Sequence, residues 1–192
     1  MQCSIYETFM FLGTELAHAI CCANDQRACS ARTESLCCVN GLIAASSALF
    51  GQTRREITLR CQPQPRLWPV EVDPGQIEQV LLNLSRNGLD AMADTLPEAR
   101  VLVVRVRTVG ADVVEVAVID RGHGISEEGR AQLFTPFYTT KAEGMGMGLN
   151  ICRSIIEFHN GRLVVDANPE GGTIFTFTLP TESAIERSAR SA

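Results

Sequence analysis

The sequence predicts an α+β fold, a two-layer sandwich with helices on one face of a mixed sheet and a flexible glycine-bordered loop beside it. Apolar periods of strand and helix type run in the order strand, helix, hairpin, glycine loop, helix, hairpin. The 192 residues are 45% hydrophobic and 20% charged, enough for one packed core and part of a second. Seventeen basic against 22 acidic side chains give a net charge of −5 and a pI near 5.2. That is the wrong balance for a non-specific nucleic-acid binder, so any anionic ligand must be held by local geometry.

Composition divides the chain at about residue 38. Six of its eight cysteines (Cys3, Cys21, Cys22, Cys29, Cys37, Cys38) lie before that point, and no C-x-x-C occurs. Adjacent pairs seldom chelate one ion and a disulfide framework would span the fold, so reduced thiols are expected. No run of 18 apolar residues is present, and the N-terminus lacks a basic opening and is interrupted by Glu7 and Glu15. The expectation is a cytoplasmic chain without membrane contact.

NGLIAASSALFG (40–51) reads as a short helix closed by Gly51, and EITLRC (56–61) as a strand ended by Pro63 and Pro65. RLWPVEV (66–72) reads as an edge strand, because Pro69 has no amide proton for a ladder. Asp73-Pro74 is a helix start, with an N-cap carboxylate followed by a proline at the first helical position. Ile77, Val80, Leu81, Leu84 and Ala91 then recur at helical spacing, giving a helix over 74–94 with its core face. VLVVRVRTV (101–109) and DVVEVAVID (112–120), joined by Gly110-Ala111, form a hairpin. A glycine-rich stretch (120–148) holds a helical piece at SEEGRAQLF. LNICRSIIEFHNG is a helix ending at Gly161, and RLVVDAN and TIFTFTL are the last strands. The polar residues 181–192 read as a frayed tail.

Several residues could carry chemistry. Asn83 and Asn87 lie four apart, so both amides emerge on one helix face. They either offer carbonyl oxygens to a hard cation such as Mg²⁺ or are exposed, solvated or capping amides. Asp120 opens D-R-G-H-G directly after an apolar strand. It either accepts the exocyclic amine of a base or caps a tight turn, and His123 reads as a loop residue. G-M-G-M-G (144–148) leads into a helix whose first amides can face phosphate. Both glycine stretches fail G-x-G-x-x-G, since Glu127 and Leu149 stand where the third glycine belongs, and no Walker motif occurs. The loop 126–143 therefore reads as a lid, with Lys141 either a phosphate ligand or a solvated lysine.

QVLLNLSRNGLDAM (79–92), DRGHGIS (120–126), LFTPFYTT (133–140) and EGMGMGLNICRSII (143–156) resemble the N, G1, F and G2 boxes of the histidine-kinase ATP-binding domain of two-component sensor kinases. GGTIFTFTLP (171–180) looks like its closing strand, and the likeness runs from Val39 to Pro180, 142 of the 192 residues. The resemblance implies a Bergerat-type fold with a flexible ATP lid. It implies Mg²⁺ on Asn87, Asn83 beside the triphosphate, and Asp120 on the adenine amine with Gly122 and Gly124 lining that pocket. It further implies Gly144, Gly146, Gly148 and Leu149 around the phosphates, Phe134 and Phe137 packing the lid, and Thr173 near the adenine. Family members carry a lysine where this chain has Asp90, so Arg86 or Lys141 would supply phosphate charge instead.

Hydrolysing relatives place a glutamate four residues before the Mg²⁺ asparagine as general base; here that residue is Asn83, which cannot take a proton. Phosphoryl transfer to a histidine is the favoured outcome, and a Bergerat ATPase is disfavoured. His18 is the single upstream candidate acceptor, but Ala19 and Ile20 follow it where the family has an acidic residue. Residues 19–38 span about 30 Å as a helix, too little for a hairpin with a full return. Residues 1–38 thus read as a truncated or degenerate remnant of the acceptor region, and the chain as a monomer acting on a histidine-bearing hairpin in trans, with a response-regulator receiver downstream. The alternative is a nucleotide-binding module or pseudokinase fragment without transfer activity.

Overall fold

The structure, a computed structural model, describes residues 36–37, 58–62, 67–139 and 146–190. The expected helix at 40–51, His18, Lys141 and Gly144 lie outside the described residues.

Strand β1 (Leu36–Cys37) pairs antiparallel with β3 (Val70–Glu71), while β2 (Thr58–Gln62) belongs to the main sheet. Helix α1 (Pro74–Ala91) begins where Asp73 Oδ1 accepts the Gln76 amide at 3.0 Å, with Pro74 in the first turn. It stops three residues before the expected Asp94. The Arg100 guanidinium takes the carbonyls of Thr95 (2.8 Å) and Ala93 (2.9 Å), which stabilises a turn in place of further helix. Strands β4 (Val101–Val109) and β5 (Val113–Ile119) form the expected hairpin. Helices α2 (Glu127–Gln132) and α3 (Gly148–Phe158) precede the second hairpin, β6 (Arg162–Ala167) and β7 (Thr173–Pro180).

The five-stranded sheet runs β2-β4-β5-β7-β6, with β2 parallel to β4 and every other pair antiparallel. Alternate residues of its central strands, among them Leu102, Val104, Val106, Val114, Val116, Val118, Phe175, Phe177 and Leu179, are buried in one core. Ile77, Val80, Leu81 and Leu84 of α1 and Cys152 and Ile156 of α3 join that core. The two-layer arrangement expected from the sequence is the one observed. Ala91, expected on the core face, is half-buried, because its carbonyl accepts the His123 amide at 3.2 Å and its backbone supports the 120–124 loop.

The chain after β7 departs from the expected frayed tail. Residues Glu182–Arg190 form helix α4. Thr181 is buried at its start: its amide donates to Asp112 O at 2.8 Å, and its hydroxyl donates to Ala111 O and accepts from the Ala184 amide. A capping threonine thus joins α4 to the β4–β5 turn, and polar composition alone conceals this. Arg187 adds an ion pair to Asp112.

Glu78 sits on α1 at 1% exposure with neither carboxylate oxygen hydrogen-bonded. Burial pushes its pKa above the ordinary value of 4.5. Because the folded value is raised, folding is least penalised while Glu78 is protonated, and stability declines as pH rises from about 4.5 through the folded value. Glu78→Leu should therefore stabilise the chain at pH 7 by about 1–3 kcal/mol. In urea titrations that gain should shrink as the pH is lowered toward 4.5; a gain independent of pH would contradict a buried ionised carboxylate.

Candidate functional site

Asp120 directly follows β5 and is 2% exposed. Its Oδ1 accepts the amides of Gly122 (2.9 Å) and Thr173 (3.1 Å). Its own amide donates to Thr173 O at 3.0 Å, and Asn168 Nδ2 donates to its carbonyl at 2.8 Å. Burial raises the carboxyl above its ordinary range, while the two amides and nearby His123 pull the other way. Both amide donors use Oδ1, and neither bond engages Oδ2, a second carboxylate acceptor.

Glycines let three segments converge on this carboxylate. A Cβ at Gly88 of α1 would lie 2.8 Å from Leu102 Cδ1 and 3.1 Å from Asp120 Cβ. One at Gly122 would fall 2.4 Å from Ala91 O, so that loop rests on the end of α1. Gly172, at φ +96°, would place a Cβ 2.4 Å from Asp120 O and 2.6 Å from Oδ1. A Cβ at Gly124, at φ +74°, would lie 3.5 Å from Gly172 O, and Thr173, next after Gly172, is 3% exposed.

Helix α1 carries both asparagines toward α3. Asn83 is half-buried and hydrogen-bonds the Cys152 thiol on α3, so it is not a solvated amide. Asn87, one turn further on, is half-buried on the same face. Arg86 is exposed and turned about 100° from Asn87 around the helix. His159 ties the opposite ends of the two helices: its Nε2 accepts the Asp73 amide at 3.0 Å and its Nδ1 donates to Ile155 O at 2.8 Å.

On the α3 side, Gly148 opens the helix into open space, with no heavy atom within 4 Å of where a Cβ would stand, while Leu149 packs on the core. Phe134 also packs on the core, under the Arg153 guanidinium at 5.4 Å from its ring centre. Phe137 departs from expectation. It is 75% exposed, since φ of +66° turns the residue outward instead of into the packing. Its backbone meets Gly146, also at positive φ, where a Cβ would come within 2.5 Å of the Phe137 carbonyl carbon. The two ends of the loop therefore touch.

Gly88, Asn168, Gly172 and His159 are site or scaffold residues that the sequence reading missed. A glycine inside a helix costs about 1 kcal/mol, which marked Gly88, and the Gly171-Gly172 pair before a strand marked the turn. Gly172→Ala, strained in φ and clashing with Asp120, should lower unfolding free energy by about 2–3 kcal/mol. Gly171→Ala, at φ +92° with nothing nearby, should cost about 1 kcal/mol. Chemical denaturation of the pair checks this, and equal losses would contradict the close approach to Asp120.

Residues 72–183 match the model of the histidine kinase-, DNA gyrase B- and HSP90-like ATPase family. The chain is 53% identical over 141 residues to the C4-dicarboxylate transport sensor protein DctS of Rhodobacter capsulatus, covering 72% of this chain and 21% of DctS. It is 44% identical over 137 residues to the sensor protein FixL of Bradyrhizobium diazoefficiens, covering 71% and 27%. It thus spans about a quarter of the length of these relatives. The solved catalytic domain of histidine kinase ThkA superposes with a TM-score of 0.65 at 32% identity, covering 74% of this chain and 91% of that domain. A mixed sheet backed by α1 and α3, with a buried aspartate between glycine turns, is thereby the ATP-binding catalytic domain of sensor histidine kinases, and the chain belongs to the histidine kinase-, DNA gyrase B- and HSP90-like ATPase family.

Proposed function

We propose that this chain binds Mg-ATP at Asp120 and transfers the γ-phosphoryl group to a histidine on a separate helical hairpin, from which a response-regulator receiver would take it. The observation that carries the reading is the buried Asp120 carboxylate, with Oδ1 committed to two backbone amides and Oδ2 left for the adenine amine. Gly122, Gly124 and Thr173 surround that acceptor, and Gly146, Gly148 and Leu149 lie at the start of α3, where helix amides favour phosphate. Lys141, Gly144 and the exposed Arg86 are the proposed sources of further phosphate contacts.

The donor set suits Mg²⁺ that arrives with its nucleotide. Asn87 offers an amide oxygen of the kind a hard cation takes, and among the described residues no three His, Cys, Asp or Glu side chains cluster as a cage of their own. When bound, Mg²⁺ neutralises charge on the phosphate oxygens. Asn83 provides no base for water, which favours transfer over hydrolysis. The cytoplasm, where ATP and receivers are found, is the proposed compartment.

Asp120→Asn keeps the shape but replaces one carboxylate oxygen with a donor, and should weaken ATP by tenfold or more, about 1.4 kcal/mol, in calorimetry. The transfer step is tested with γ-labelled ATP and Mg²⁺, with and without an added histidine-bearing hairpin. Acid-labile, base-stable label on the hairpin alone is the expected result. Label on this chain would make His18 the acceptor, and ATP binding without label on either would leave a nucleotide-binding module.

A further inference from the structure

Asn168, half-buried in the turn between β6 and β7, has a partner for each of its four polar groups. Its amide donates to Gly172 O at 3.0 Å and its carbonyl accepts the Gly171 amide at 2.9 Å, which closes the turn. Its side-chain Oδ1 accepts the Glu170 amide at 3.1 Å, and Nδ2 donates to the Asp120 carbonyl at 2.8 Å. The two ends of this side chain cannot be exchanged. A backbone N–H only donates and a backbone C=O only accepts, so oxygen belongs on Glu170 and nitrogen on Asp120. The Asp120 carbonyl lies in the peptide plane that leads into Arg121. Just past that plane stands the Gly122 amide, which Oδ1 of Asp120 accepts at 2.9 Å. Rotating the plane would carry the Gly122 amide off Oδ1 and release the carboxylate on that side. Asn168 holds the plane from the opposite turn.

We infer that Asn168 is a positioning residue for base selection: by fixing the Asp120–Arg121 peptide plane it aims the carboxylate at the exocyclic amine of adenine. It thereby sets how sharply the chain separates adenine from a purine without that amine. The inference rests on the nucleotide reading above. It separates from a turn-forming role by chemistry. Asparagine and aspartate serve such a turn alike, each through a side-chain oxygen on the amide two residues on. Only asparagine also brings a donor to the Asp120 carbonyl. Asn168→Asp therefore keeps the oxygen on the Glu170 amide and sets a second oxygen against that carbonyl. The Arg121–Glu170 ion pair links the same two turns, but it joins two exposed side chains and does not touch the aspartate.

Calorimetry on the full chain with Mg²⁺ compares ATP with the triphosphate of purine riboside, which lacks only the amine. The wild type should prefer ATP by about tenfold or more, the size of one hydrogen bond to a charged acceptor. Asn168→Asp should cut that preference to about threefold or less by weakening ATP alone. The ratio of the two affinities, taken on one preparation, does not depend on how much of it is folded. Asn168→Ala, which sets no new oxygen against the carbonyl, should show the same fall and stands in if the aspartate variant does not fold. Glu170→Ala keeps its backbone amide and should leave the preference as in the wild type. An aspartate variant with the wild-type preference, equal losses for both nucleotides, or the same fall in Glu170→Ala would overturn the inference. A wild-type chain that binds both nucleotides equally, or neither, fails the nucleotide reading first and this inference with it.

Discussion

The Asp120 carboxylate is held by amides from two sides, Gly122 two residues on and Thr173 fifty-three residues on. Leaving a carboxylate at 2% exposure is costly unless its charge is hydrogen-bonded, so β5, the 120–124 turn and the start of β7 must come together for the fold to tolerate it. Asn168 closes the arrangement from the β6–β7 turn by donating to the Asp120 carbonyl. Glycines at 88, 122 and 172 are the steric counterpart, because a side chain at any of them would strike the aspartate or the end of α1. The aspartate is therefore the residue around which the ends of the neighbouring strands β5 and β7 are assembled.

The second constraint is the pairing of α1 with α3. One end is fastened by His159, which bridges the α1 cap and the last turn of α3, and the middle by Asn83 and Cys152. The histidine uses one ring nitrogen as donor and the other as acceptor, an arrangement only the neutral ring can make. These contacts set how the asparagine face of α1 stands to the glycine-led start of α3. The asparagine face of α1 and the start of α3 thus share one support, while Phe137 and Gly146 touch in the segment between α2 and α3.

The acidic net charge of the chain does not conflict with an anionic ligand, because nothing in the site depends on a long-range field. Anions would be met by helix amides at short range, and the base by a single fixed carboxylate. Exposed ion pairs such as Arg121–Glu170 and Arg153–Glu157 contribute little to stability, and they leave the core to do most of that. The Arg153 head also lies over Phe134, so one side chain joins α3 to the segment that follows α2.

Elements whose information is local were legible from residue order. Helical spacing from Ile77 to Leu84, the Asp73-Pro74 start and the alternation of β4, β5 and β7 each act within a few residues, and each element formed where that pattern put it. Motif order also indicated Asp120, Asn83 and Asn87. The sequence did not reveal that Asn83 is bound to Cys152, that His159 reaches Asp73 across 86 residues, that Glu78 is buried without a partner, or that Thr181 caps a terminal helix. Those outcomes depend on which segments the sheet order brings side by side. A period of 2 or 3.6 residues specifies which face of an element is apolar, but only the packed topology decides which polar atom lies opposite it.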